Sequence, residues 1–150
     1  MKMLKPSMFM MFVAVVLFSC NTQKPADQKS VTQQTENPGA EAVISEDLQV
    51  FYFHNTKRCA TCNAVEDETK VALEMFYEDN MKDGTMNFTS LNLEEEDGKK
   101  MAQSLDVSGQ TLLIIKGETR VNLTNEGFMN ARTNPTKFHE ILKTQIDQLL

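Results

Sequence analysis

Positive charge is in short supply in this chain: 15 lysines and arginines stand against 21 aspartates and glutamates, for a formal net charge of −6. The balance turns more negative beyond the first five residues, which carry Lys2 and Lys5 and no acid. A surface of that sign repels a phosphate backbone, so nucleic acid is excluded as a partner class. Long apolar runs are scarce as well. The one extended stretch, Met8 to Phe18, falls well short of the roughly 20 residues that cross a bilayer comfortably, so no membrane-spanning anchor is expected. Histidine is limited to His54 and His139. A lone histidine at a strand end is usually structural, which leaves His54 as an auxiliary candidate at most, a proton shuttle or a metal ligand, and His139 is expected at the surface. The acidic run Glu94, Glu95, Glu96 and Asp97 lacks the alternating oxygen ligands of a calcium loop and reads as a solvated helix start.

Cysteine is sparse too, with three residues, and their positions matter more than their number. Lys2 and Lys5, the apolar stretch to Phe18 and then Ser19-Cys20 read as a secretory signal peptide over residues 1–19. The small residue before Cys20 resembles the lipobox of bacterial lipoproteins. That resemblance implies that Cys20 becomes a lipidated N-terminus, and that several acyl chains hold it firmly to a membrane. It also implies a bacterial cell envelope. Asn21, rather than aspartate, after the lipidated residue carries no inner-membrane retention signal, so an outer-membrane anchor facing the periplasm is expected. Residues 20–44 are rich in Gln, Thr, Ser, Pro and Ala, with almost no large apolar groups before Val43 and Ile44. They are expected to form a disordered tether with a reach of roughly 25–30 Å. The domain proper is expected over residues 45–150.

With Cys20 capped by lipid, Cys59 and Cys62 remain as one matched pair in a compartment that permits disulfides. They stand as Cys59-Ala60-Thr61-Cys62 between an apolar run, Val50 to Phe53, and a segment with helical character. A helix N-terminus offers unpaired N–H groups and partial positive charge, which stabilise a thiolate on the first cysteine. Cys59 is therefore the expected nucleophile and Cys62 the resolving thiol, in a chemistry that needs no cofactor. Lys57 and Arg58, just before the pair, are expected to favour the thiolate further. A bridge closing so short a loop contributes little as a staple.

The periodicity sets out the rest of the domain. Leu48 to His54 reads as a central strand and Cys62 to Asn80 as a helix ended by Asp83-Gly84. In that helix Val65, Thr69, Ala72 and Phe76 are expected inward, with Glu66, Asp67, Glu68, Glu74 and Glu78 opposite. A second strand runs from Met86 to Leu93 with a phase slip that predicts a bulge. A helix over Glu94 to Leu105, a hairpin of Thr111–Ile115 with Thr119–Leu123, and a final helix follow. Asn134 caps that last helix with Pro135 at its first position, and Phe138, Ile141, Leu142, Gln145 and Leu149 are expected inward.

Strand, cysteine pair, helix, strand, helix, hairpin, helix is an order that resembles the thioredoxin-like fold, an α/β three-layer sandwich with a mixed central sheet and helices on both faces. The stretch from Phe51 to Cys62 resembles the opening of envelope proteins labelled as the ArsF family, nitrophenyl compound nitroreductase subunit. The resemblance implies the thioredoxin-like fold and hints at nitroreduction, while the cysteine pair in an oxidising compartment points to a redox partner protein in the envelope. Typical thioredoxins carry a cis-proline opposite the cysteines, where this chain reads Gly109-Gln110-Thr111. Gln110 and Thr111 are thereby auxiliary candidates. An open site without that proline also admits a soft metal such as Cu(I) on Cys59 and Cys62, with His54 or a methionine. The acid that assists proton transfer in thioredoxins would fall near Phe53 or His54, and neither is acidic. Three readings follow: an envelope thiol–disulfide oxidoreductase, a copper-binding module, and a non-catalytic interaction domain with a structural bridge.

Overall fold

Successive side chains of a strand point to opposite faces of the sheet, and Leu48 to His54 carries large apolar groups on both. Such a strand has to be covered from two sides. In the computed structural model, which describes residues 45–150, β1 (Leu48–His54) buries Leu48, Val50 and Tyr52 in one core and Phe51 and Phe53 in another. The expected leader, Cys20 and tether lie outside the described residues. After β1 come α1 (Ala60–Asp83), β2 (Met86–Asn92), α2 (Glu96–Ser104), β3 (Thr111–Lys116), β4 (Thr119–Asn122), α3 (Thr124–Asn130) and α4 (Pro135–Asp147). No helix among the described residues is long and apolar enough to cross a membrane.

The sheet order is β2-β1-β3-β4, with β1 parallel to β2 and antiparallel to β3, and β3 antiparallel to β4. On one face the larger core joins Val65, Ala72, Leu73 and Tyr77 of α1 to Phe138, Leu142 and Ile146 of α4, with Ala131 at the end of α3. On the other, Ala102 of α2 and Leu105 pack with Phe51, Phe53, Leu113 and Ile115. This is the mixed-sheet, three-layer α/β arrangement of the thioredoxin-like fold.

Several details depart from what the pattern predicts. There is no bulge in β2, which pairs continuously with β1 from Leu48↔Met86 to His54↔Asn92. The phase slip has another cause. Met86 and Phe88 fill the larger core while Leu91 and Leu93 fill the smaller one, so this edge strand changes the face it serves partway along a regular ladder. The long helix begins earlier and ends later than expected, and Gly84 terminates it at φ 83°, in the left-handed region that glycine adopts without strain. Its buried stripe runs Cys62, Val65, Glu66, Thr69, Ala72, Leu73 and Tyr77. Phe76 falls at the edge of that stripe, 37% exposed, with Lys143 Nζ 5.8 Å from its ring centre. Glu66, expected on the solvent side, is buried. In α4 the buried residues are Phe138, Leu142 and Ile146, and Gln145, expected inward, is only half-buried. The short helix α3 had no periodic signal because it spans barely two turns. Gly127 within it lets α3 approach α1 closely: a Cβ there would meet Val65 Cγ1 at 3.1 Å.

Candidate functional site

Thr111, the first residue of β3, pairs with Phe53, next to the end of β1. That register carries residue 110 to the edge of the sheet from which the chain leaves β1 for the cysteines. Asn55 to Arg58 make the turn, and Cys59 caps α1 with extended backbone (φ −86°, ψ 166°). Its Sγ accepts a hydrogen bond from the Cys62 N–H at 3.2 Å, so the first turn of the helix points a backbone donor at this sulfur. The two cysteines form a disulfide with their Cα atoms 5.1 Å apart. They differ sharply in access. Cys59 is exposed, whereas Cys62 is 3% exposed.

Two buried groups fix the first turn of α1 from beneath. The Tyr52 hydroxyl donates to the Cys62 carbonyl at 2.9 Å. Burial pushes the Tyr52 phenol up, partly offset by Arg58, so the hydroxyl keeps the proton it donates. Arg58 places its guanidinium 5.6 Å from the centre of the Tyr52 ring and forms an ion pair with Glu66. The second oxygen of Glu66 accepts from Lys70 Nζ at 2.6 Å. Glu66 is 7% exposed. Burial alone would raise its pKa, but the Lys70 and Arg58 hydrogen bonds outweigh that and hold it below its ordinary value. Such a carboxylate stabilises the fold above that ordinary value, 4.5, and loses the contribution as the pH falls through its lower folded-state pKa. Glu66→Gln is therefore expected to be less stable than the parent at neutral pH, with the gap closing below about pH 4.5. Chemical denaturation across that range checks it. A gap independent of pH would assign the loss to packing.

The other sequence candidates fall out differently. Lys57 is exposed on the turn. Arg58, expected to act on the thiol, has its charge engaged by Glu66. The His54 ring is half-buried with Nδ1 3.0 Å from the Asn55 carbonyl oxygen. His139 is not at the surface: its side chain is 13% exposed and Nε2 lies 2.7 Å from Glu68 Oε2 on α1. Thr111 Oγ1 donates back to Gly109 O at 2.9 Å. Gln110 is the residue that meets the pair, with Oε1 3.4 Å from Cys62 Sγ. Tyr52 and Glu66 are additions to the site. Glu66 was open to detection, because it follows Cys62 by four residues and so lies on the same helical face. Among the described residues no three of His, Cys, Asp and Glu form a group that could hold a metal ion. Beside the site a recess of about 370 Å³ opens between Asn55, Leu93, Lys99 and Val107.

Fold and site together define an α/β thioredoxin-like domain with a disulfide at a helix N-terminus. No protein-family model matches the chain, and no curated protein does. Among solved structures it is similar to one described as "Structure of a malarial protein", at 17% identity over 49% of this chain and 74% of that one, with a TM-score of 0.37. A likeness of that size carries no argument about function.

Proposed function

We propose that the protein is a membrane-tethered thiol–disulfide oxidoreductase of a bacterial envelope, anchored through lipid on Cys20 and acting on partner proteins through Cys59 and Cys62. The observation that carries this reading is the asymmetry of the pair: one sulfur exposed at the tip of α1, bonded to one that is buried. A four-residue closed loop removes only about 2 kcal/mol of unfolded-state entropy, so a purely structural bridge gains little from this placement.

In the oxidised domain a partner thiolate attacks Cys59 Sγ, the sulfur it can reach, and the bond to Cys62 breaks with the electron pair on Cys62 Sγ. A second partner thiolate then attacks the partner's sulfur in the mixed disulfide and releases Cys59 as a thiolate. The partner loses two electrons as its disulfide forms, the domain gains them, and the two thiol protons pass to the cysteines. The same steps in reverse reduce a partner disulfide, with Cys59 attacking and Cys62 resolving. The helix N-terminus stabilises the Cys59 thiolate in either direction, with exposed Lys57 adding positive charge nearby. The recess beside Asn55 offers room for the partner residues next to the reacting cysteine.

Cys62→Ser in the full chain is expected to hold a partner on Cys59 as a stable mixed disulfide, recovered from envelope extracts and released by reductant. Parent protein, with its resolving thiol, should hold little. Failure to trap any partner, together with exchange against a small disulfide no faster than that of an unactivated thiol, would overturn the proposal.

A further inference from the structure

We infer that Gln110 is a positioning residue that sets the redox balance of the pair, by accepting a hydrogen bond from Cys62 that exists only when the pair is reduced. Its Oε1 stands 3.4 Å from Cys62 Sγ, within reach for a sulfur donor. A disulfide sulfur carries no proton, so in the oxidised form this is an oxygen facing a sulfur with no hydrogen bond between them. The Gln110 side chain has no other hydrogen-bond partner among the described residues. Reduction changes the chemistry at that one contact. Two thiols of a donor such as glutathione become its disulfide, Cys59 and Cys62 receive two electrons and two protons, and the Cys62 S–H acquires an acceptor already in place.

The surroundings keep that acceptor aligned. Cys62 is held from below by the Tyr52 hydroxyl on its carbonyl, and Gln110 is held by the β3–β1 rung of Thr111 with Phe53 and by the Thr111 hydroxyl on the Gly109 carbonyl. Both partners are thus tied to β1 from opposite sides, Cys62 through the Tyr52 hydroxyl and Gln110 through the rung of Thr111 with Phe53, so the acceptor oxygen already faces the sulfur that gains a proton. Cys62 is buried, and a buried thiol without an acceptor has no water to replace it. The bond therefore favours the reduced form, shifting the couple toward a stronger oxidant.

This inference rests on the redox reading above, and its test separates the two. The equilibrium of the full chain with reduced and oxidised glutathione is measured for the parent and for Gln110→Met, which keeps the side-chain length and removes the acceptor. A cysteine S–H is a weak donor, so the bond is expected to contribute no more than an ordinary neutral hydrogen bond. The equilibrium constant for reduction should therefore fall by roughly two- to fivefold, a tenfold change being about 30 mV for two electrons. Gln110→Glu, which retains an acceptor oxygen, should stay at or above the parent value. A residue that merely supports the loop would lower the stability of both redox forms alike and leave the equilibrium unmoved. Gln110→Met with an unchanged or more easily reduced pair overturns the inference even where Cys62→Ser traps a partner. A shifted equilibrium with no trapped partner and slow exchange would instead sink the oxidoreductase reading and leave the Gln110–Cys62 contact standing. Should Gln110→Met fail to fold, Gln110→Leu gives the same comparison.

Discussion

Phe138→Ala is expected to lower the free energy of unfolding by about 3–5 kcal/mol. Phe138 is fully buried in the larger core, where α4 meets α1 and the sheet. The substitution removes most of its apolar surface and leaves a void, and the neighbours are poorly placed to close it. Gly127 sits against the ring, where an added Cβ would lie 3.5 Å from Phe138 Cε2, and has no side chain to move inward. Val65 is on the long helix that carries the cysteines, and any collapse toward the void has to drag that helix. Domains of this size are stable by only about 5–15 kcal/mol in total, so the loss should take a large share. Denaturant titration should show a lower midpoint with an unchanged slope. A loss below about 1 kcal/mol would mean that the core refills freely and that α4 is not clamped as described.

Gly98→Ala is the second large effect, and it reaches the cysteines by a different route. Gly98 is buried in α2, and a Cβ there would collide with the backbone carbonyl of Asn92 at the end of β2. Alanine normally improves a helix interior over glycine by up to about 1 kcal/mol. Here the contact is with backbone that cannot rotate away, so overpacking should dominate, at about 3 kcal/mol of net destabilisation. The displaced strand end matters to the site. Asn92 Nδ2 donates to Thr56 Oγ1 at 2.9 Å, and the Thr56 N–H donates to Glu94 Oε1 at 3.1 Å, so the turn from β2 to α2 holds the turn that delivers Cys59. Expected together are a reduced unfolding free energy and an altered rate of exchange with a small disulfide, the second measured under conditions where the variant remains folded. A variant as stable as the parent would show that α2 can ride off the strand, against the close packing seen here.

Much of this architecture could be read from local pattern. Val50 to Phe53 announced a strand covered on both sides, Asn134-Pro135 announced the last helix, with Asn134 Oδ1 accepting from the Lys137 N–H at 3.3 Å, and Thr111–Ile115 with Thr119–Leu123 announced the hairpin. These are signals carried within a few residues. The misreadings share a cause, which is that the deciding contact comes from elsewhere in the chain. Met86, Phe88, Leu91 and Leu93 looked like a broken alternation because the pattern cannot show that an edge strand serves two cores in turn. Glu66 looked like one more acid on a solvated face, because its partner Arg58 comes from the turn before the helix. His139 looked exposed because Glu68 lies 71 positions away.

The sequence by itself determined the cysteine element: two thiols three residues apart, between an apolar strand and a helix start. Local backbone chemistry is enough for that, since a helix N-terminus presents unpaired N–H groups wherever it forms. Only the tertiary structure decided that Cys62 is buried while Cys59 is open, that Tyr52 and the Arg58–Glu66 pair support the first turn, and that Gln110 is the side chain facing the buried sulfur. Each of those depends on strand register and on which helix face meets the sheet, and both are settled by packing across the whole domain.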